Sequence, residues 1–306
     1  MSPQALGSRL WRAAPLLLAA TMLFWAGNSI AGRALAGVVP PMTLTFWRWV
    51  LASLLVAPLA WPHLRRDWPE LRRRWKTVVL LAVSGVASFG ALLYWGLEST
   101  TALNSLLMQA AIPPLILFFG FMALRDRIGL GALIGVALSL AGVLVVISQG
   151  RPWSLLALRL NPGDGIILIG VVLYAAYSLL LRRRPQVHPL SLLLVTFLLS
   201  VVVVAPFYAQ ELVQGRTFDP TPAALGGILY VALFPSFLAY LCFNRGVELI
   251  GAGPAGQYMH LMPVFGAVLA VGLLGEPFHG YHAIGVALIA TGIGATAWAG
   301  RRSGPL

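Results

Sequence analysis

Residues 94–142 read YWGLESTTALNSLLMQAAIPPLILFFGFMALRDRIGLGALIGVALSLAG, and residues 244–292 read NRGVELIGAGPAGQYMHLMPVFGAVLAVGLLGEPFHGYHAIGVALIATG. At an offset of 150 the two stretches align without a gap. Gly96 meets Gly246, Glu98 meets Glu248, Ala102 meets Ala252, Pro113 meets Pro263, Leu124 meets Leu274 and Gly142 meets Gly292. The run Ile134-Gly135-Val136-Ala137-Leu138 recurs as Ile284-Gly285-Val286-Ala287-Leu288. Eleven of 49 pairs are identical, where residue frequencies alone would give ~4. Asp126 and Glu276 also match in charge. The chain is a duplicated unit, and each copy holds several apolar segments of membrane length.

The match extends upstream. PLLLAATMLFWAGNSIAGRAL (15–35) lies over GDGIILIGVVLYAAYSLLLRR (163–183) at an offset of 149, pairing Trp25 with Tyr174, Ala26 with Ala175 and Ser29 with Ser178. Pro41-Met42-Thr43 and Pro189-Leu190-Ser191 open the segments that follow. Apolar runs of ~20 residues, enough to cross ~30 Å of hydrocarbon, lie near 13–32, 42–61, 77–97, 101–124, 130–149, 164–182, 190–209, 222–244, 252–274 and 279–299. The expected fold is an all-α polytopic membrane protein with ten transmembrane helices. Its two five-helix copies are 13–149 and 162–299, joined by a loop at 150–161. Five is odd, so the second copy is expected upside down relative to the first. Substrate sites in such inverted repeats lie near the midplane, between the halves.

Composition agrees: 59% of residues are hydrophobic, 10% are charged, and mean hydropathy is +0.85, unlike a soluble domain. The net charge of +12 raises the question of nucleic acid, but its placement argues for lipid headgroups instead. With the N-terminus inside, Lys and Arg divide sixteen inside (Arg9 and Arg12, then clusters at 65–76, 125–127, 182–184, 245 and 301–302) against Arg33, Arg151, Arg159 and Arg216 outside. This bias predicts a bacterial inner-membrane protein with both termini cytoplasmic. The expected partners are a small solute and the bilayer, not nucleic acid. The signal-like N-terminal run is expected to stay, because it belongs to the duplication. Cys242 is the only cysteine, so no intrachain disulfide forms.

Other local expectations follow. Residues 63–76 read as the longest hydrophilic loop, basic and cytoplasmic. Asp164 is placed to N-cap helix 6, and Trp153 with its leucine neighbours suggests a short interfacial piece. Small residues at helical spacing on helix 5 (Gly131, Gly135, Ser139, Gly142) and helix 10 (Ala283, Ala287, Thr291, Ala295) allow close packing, within the chain or across a homodimer.

Polar side chains inside a membrane helix call for a cavity or a partner. Arg48 lies seven residues into helix 2, ~10 Å along its axis. It is read as an anchor for a substrate carboxylate, or as the structural partner of a carbonyl, a helix end or a carboxylate such as Glu98 or Glu248. Trp25 and Asn28 share a face of helix 1, and Tyr174 and Tyr177 a face of helix 6. Tyr94, Gln109, Asn244, Gln257 and Tyr258 complete the candidate binding set. Pro113 and Pro263 each interrupt a helix and are candidate hinges. His260 is the one candidate for proton coupling. The sequence carries no catalytic motif, cofactor motif or metal-ligand spacing, and His279 with His282 is set aside as a metal site.

These residues support a family. FWAGNSIAGR in helix 1, FWRW in helix 2, YWGLESTTALNSLLMQAAIPPL across helices 3 and 4, and GPAGQYMHLMPVFGAVLAVGLLGEPFHGYHAIGVALIATGI across helices 9 and 10 resemble the EamA-type members of the drug/metabolite transporter superfamily. The first half departs in having Arg125-Asp126 where Gly-Glu is usual. The resemblance implies ten helices around a central cavity, alternating access, and export or exchange of small metabolites. It is similar to YddG-like amino-acid exporters, which makes amino acids the expected substrates. A drug or nucleotide-sugar carrier is the alternative within transport, and an intramembrane enzyme or a scaffold the alternative outside it.

Overall fold

The computed structural model describes residues 13–124, 129–151, 161–251, 255–256 and 258–302, and among them every regular element is helical. The principal helices in chain order are α1 (Ala14–Ala34), α2 (Pro41–Arg73), α3 (Trp75–Leu97), α4 (Ala102–Gln109 continuing as Ile112–Leu124) and α5 (Leu130–Ile147). They continue as α6 (Pro162–Leu180), α7 (Pro189–Val213), α8 (Pro222–Ile250), α9 (Leu261–Leu274, entered through a 3₁₀ turn at Tyr258–His260) and α10 (Gly280–Arg302). Among the described residues, seven helices are long and apolar enough to cross a membrane, and the apolar stretches Leu133–Ile147, Tyr258–Leu274 and Gly280–Ala295 are shorter. The chain is therefore a multi-pass membrane protein. Asp126, Trp153 and most of the expected 150–161 connection lie outside the described residues.

Two local expectations are corrected. Residues 63–73 are not a loop: α2 runs on through them to Arg73. Apolarity ends near residue 61, but Glu70 pairs with Arg73 at 2.6 Å and with Arg74 at 2.9 Å, at the i,i+3 and i,i+4 spacings that reinforce a solvated helix. Asp164 is not the N-cap of α6. Asn161 is: its side chain accepts from Gly163 N at 2.8 Å. Asp164 is instead fully buried in the first turn and takes the hydroxyl of Thr100.

Prolines coincide with the breaks in α4, α8 and the entry to α9, whereas α2 and α7 run through theirs. Pro113 and Pro114 have no N–H to give to the carbonyls of Gln109 and Ala110, and α4 breaks between Gln109 and Ile112. Pro263 withholds the same bond from Met259, which lies in the 3₁₀ turn. In α8 Pro235 leaves the carbonyl of Val231 free, and the helix widens to a π-turn over Leu233–Leu238. α3 has a π-turn at the corresponding place, Ala82–Ala87.

Glycines set the closest helix contacts. In α5 and α10 a Cβ on Gly142 would stand 2.8 Å from Gly285 O, and one on Gly292 would stand 2.4 Å from Gly135 O. The α10 face in this contact is Gly285, Ile289 and Gly292; the expected stripe of Ala283, Ala287 and Thr291 is exposed. Gly96 of α3 seats Ile167 of α6, and its counterpart Gly246 of α8 seats Leu18 of α1, which is Ile167's counterpart. Helices α2 and α7 cap one another. Glu211, near the end of α7, accepts from Met42 N (3.1 Å), Thr43 N (2.8 Å) and Thr43 Oγ1 (2.9 Å) at the start of α2. Asp67, near the end of α2, accepts from His188 N at 2.9 Å, just before α7. Glu276, after α9, likewise accepts from Ala102 N (2.8 Å) and Leu103 N (2.9 Å) at the start of α4. A helix start buried in apolar surroundings needs such acceptors.

Candidate functional site

The site begins with the missing N–H of Pro235. The carbonyl of Val231, left free, accepts from Ser236 Oγ at 2.7 Å. That fixes the hydroxyl hydrogen and leaves the oxygen's lone pairs facing α2. There Ser236 Oγ accepts from Arg48 Nε at 2.6 Å. A second guanidinium nitrogen, Nη1, donates to Tyr94 Oη at 2.9 Å, and Tyr94 in turn donates to Asn28 Oδ1 at 2.7 Å. The guanidinium lies 4.4 Å from the Trp49 ring centre, a geometry in which a weakly hydrated cation is stabilised by the ring face. Arg48 is only 6% exposed. Its partners are hydroxyls and an aromatic face, not the carboxylates weighed from sequence: Glu98 pairs with Arg216 at 2.8 Å and Glu248 with Arg245 at 3.0 Å.

Arg48 lines a hollow of about 60 Å³ between the halves. Trp25, Asn28, Gln109 and Tyr174 also line it. Trp25 is held by its Nε1–H donating to Pro235 O at 3.2 Å, so the same π-turn positions both groups. Gln109 donates to Ser29 Oγ and to Ser105 Oγ, each at 3.1 Å. Tyr174 packs on Phe89 with centroids 4.7 Å apart.

The remaining candidates are placed as follows. Tyr94 is buried behind the wall, where it holds Arg48 to Asn28. Tyr177 fills the notch at Gly85, where a Cβ would stand 2.2 Å from its ring; it does not line the hollow. Asn244 and Tyr258 are half-buried and line neither this hollow nor the next. Gln257 lies outside the described residues. Pro113, Pro263 and His260 line a second, larger hollow of about 320 Å³ between α4, α9 and α10. Sequence reading missed Ser236, Trp49, Phe89, Met259 and Met262. Only Ser236 carried a signal: a Pro-Ser pair in the middle of an apolar helix.

A multi-pass helical chain with a buried cation facing an internal hollow is built like a membrane carrier. The model of the EamA-like transporter family matches residues 12–148 and again 161–298, and the chain belongs to that family. It is 27% identical over 285 residues to the uncharacterized transporter YyaM of Bacillus subtilis, covering 91% of each chain. It is 27% identical to YetK of the same organism, covering 90% of this chain and 84% of that one. An uncharacterized transporter of Archaeoglobus fulgidus is 28% identical over 281 residues, covering 91% of this chain and 95% of its own. A crystal structure aligns at TM-score 0.65 and 19% identity, over 96% of this chain and 99% of that one, so the fold is shared.

Proposed function

We propose that this transporter carries small amphipathic organic solutes, carboxylates and amino acids among them, through the hollow at Arg48 by alternating access. The observation that carries the reading is Arg48 itself. A buried guanidinium that lines a cavity, and that finds no carboxylate partner among the described residues, is suited to a ligand anion. Trp25, Asn28, Gln109 and Tyr174 supply the rest of the contact surface, and Tyr94 holds the anchor. The breaks at Pro113 and Pro263 are where the halves flex.

The architecture we propose is ten spans in two copies of opposite orientation. Two observations support it. Helices equivalent by sequence, α2 with α7 and α5 with α10, lie antiparallel against each other. The contact of α3 with α6 has a counterpart in that of α8 with α1. The distribution of Lys and Arg supports an inner-membrane orientation with both termini cytoplasmic; export or exchange, the direction the family resemblance implies, is proposed with it. Purified protein in liposomes tests the reading: a panel of amino acids and other carboxylates should show time-dependent, saturable uptake, lost in Arg48→Gln. Uptake no faster than in protein-free vesicles for the whole panel would refute it.

A further inference from the structure

The two hollows share a wall. Gln109, Ile112, Met259 and Met262 line both, so one layer of side chains separates the Arg48 hollow from the larger one. Their characters differ. Organic ligands occupy sites of roughly 300 Å³ and above; the Arg48 hollow, at about 60 Å³, has room for a head group only. The second, at about 320 Å³, has room for a body, and its walls are Leu107, Ala110, Val286 and Ile289 besides the two prolines. Its polar side chains are those of Gln109 and His260. Gly294 stands at its edge on α10, with nothing within 4 Å of where a Cβ would be.

Charge is the second observation. Among the described residues, those lining the two hollows include one fixed charge, Arg48, and no carboxylate. A zwitterion enclosed there adds no net charge and leaves the guanidinium uncompensated, whereas a monoanion cancels it. An uncompensated charge away from water is costly. A carboxylate head also suits the remaining N–H donors of Arg48, since a guanidinium pairs with both carboxylate oxygens.

We infer that the ligand is a monoanionic carboxylate without a charged amine, its head on Arg48 and its uncharged apolar body in the larger hollow. This rests on the carrier reading for the identity of the site and narrows its solute class: amino acids become the poorer ligands. Two routes could bring an apolar chain to the larger hollow, a solute's body or a lipid's tail. The neighbouring cation and the shared wall favour the solute.

Equilibrium dialysis of the purified full chain at neutral pH compares three probes of one shape: 3-phenylpropanoate, phenylalanine and phenethylamine. The carboxylate should bind roughly tenfold or more tighter than the zwitterion, and the amine least. Arg48→Gln should abolish that preference, and Gly294→Phe, which builds into open space, should weaken phenylpropanoate severalfold. Equal binding of phenylalanine and phenylpropanoate overturns the inference and leaves the carrier reading standing. The predicted binding order, with no liposome uptake above protein-free vesicles for any member of the amino-acid and carboxylate panel, upholds the inference and sinks the carrier reading. Phenylpropanoate binding unchanged by Gly294→Phe, with a co-purifying lipid lost from that variant, gives the larger hollow to lipid and overturns the placement of the body.

Discussion

The α5–α10 contact makes a sharp prediction, because two glycines on one helix differ in what surrounds them. In Gly292→Ala the new Cβ would stand 2.4 Å from Gly135 O and 2.7 Å from Ser139 N, both backbone atoms. Ordinary contact begins at 3.4 Å, so the helices must part by about 1 Å, and close packing over the whole seam weakens with them. Overpacking of this kind costs ~1–3 kcal/mol, against a gain of ~0.5–1 kcal/mol for replacing glycine in a helix. The net is a loss on the order of 1–2 kcal/mol, or roughly 2–8 °C in Tm at ~2–4 °C per kcal/mol. In Gly294→Ala the Cβ meets nothing within 4 Å, so the propensity gain remains and Tm should hold or rise slightly. Thermal unfolding of the two variants in one detergent, followed by tryptophan fluorescence, reads the difference. Equal Tm values would refute the glycine-seam account.

Glu276→Ala removes the acceptor of two backbone N–H groups; at ~1–3 kcal/mol for each donor left unsatisfied it should cost more than Glu276→Gln, which keeps one acceptor. The same melts give that order, and equal losses would count against the cap. Tyr94→Phe should weaken binding of a carboxylate ligand, since it frees Arg48 from Asn28, and should also lower Tm, since Asn28 Oδ1 and Arg48 Nη1 lose that buried partner at ~1–3 kcal/mol each; ligand dialysis well below the melting range reads the first effect and thermal unfolding the second. His188 Nδ1 accepts from Leu190 N at 3.3 Å, so the neutral ring caps α7. Burial, then the charge of the stacked His63 and of Arg66, push its pKa below the ordinary histidine value of 6.5, against the opposing pull of Asp67 and Glu248. The folded state therefore binds the proton less readily than the unfolded chain, and the stabilisation is full above pH 6.5 and declines as pH falls through the folded pKa. Tm measured across that window should drop on acidification in the wild type and drop less in His188→Gln.

Much of the fold was legible because it depends on one-dimensional quantities. The duplication, the apolar spans, the prolines that break α4 and the burial of Arg48 each follow from which residue occupies which position. Helix ends were less legible where polar residues continue a helix past its apolar stretch, as residues 63–73 do through the Glu70 pairs.

Facing was the least legible property, for a reason peculiar to membranes. Lipid and protein interior are both apolar, so hydrophobic periodicity does not say which side of a helix turns inward. On α5, Leu133, Ile134 and Leu144 are exposed while Val136 and Val143 are buried, and nothing in their chemistry separates them. Reading by helical spacing grouped Tyr177 with Tyr174, whose rings do meet at 5.3 Å, but it did not show that only Tyr174 lines the hollow; on α10 it picked out Ala283, Ala287 and Thr291, which are exposed, while Gly285, Ile289 and Gly292 face α5.

The sequence by itself determined that a guanidinium must be held inside the membrane, because charge cannot be left in hydrocarbon. Only the tertiary structure decided what holds it. Ser236 is 188 positions from Arg48 and Tyr94 is 46, and hydroxyls at such separations meet only where helices cross. Glu276 came to α4 in the same way. Burial is a property of residue type and is written along the chain; partnership is a property of packing and appears only when the chain is folded.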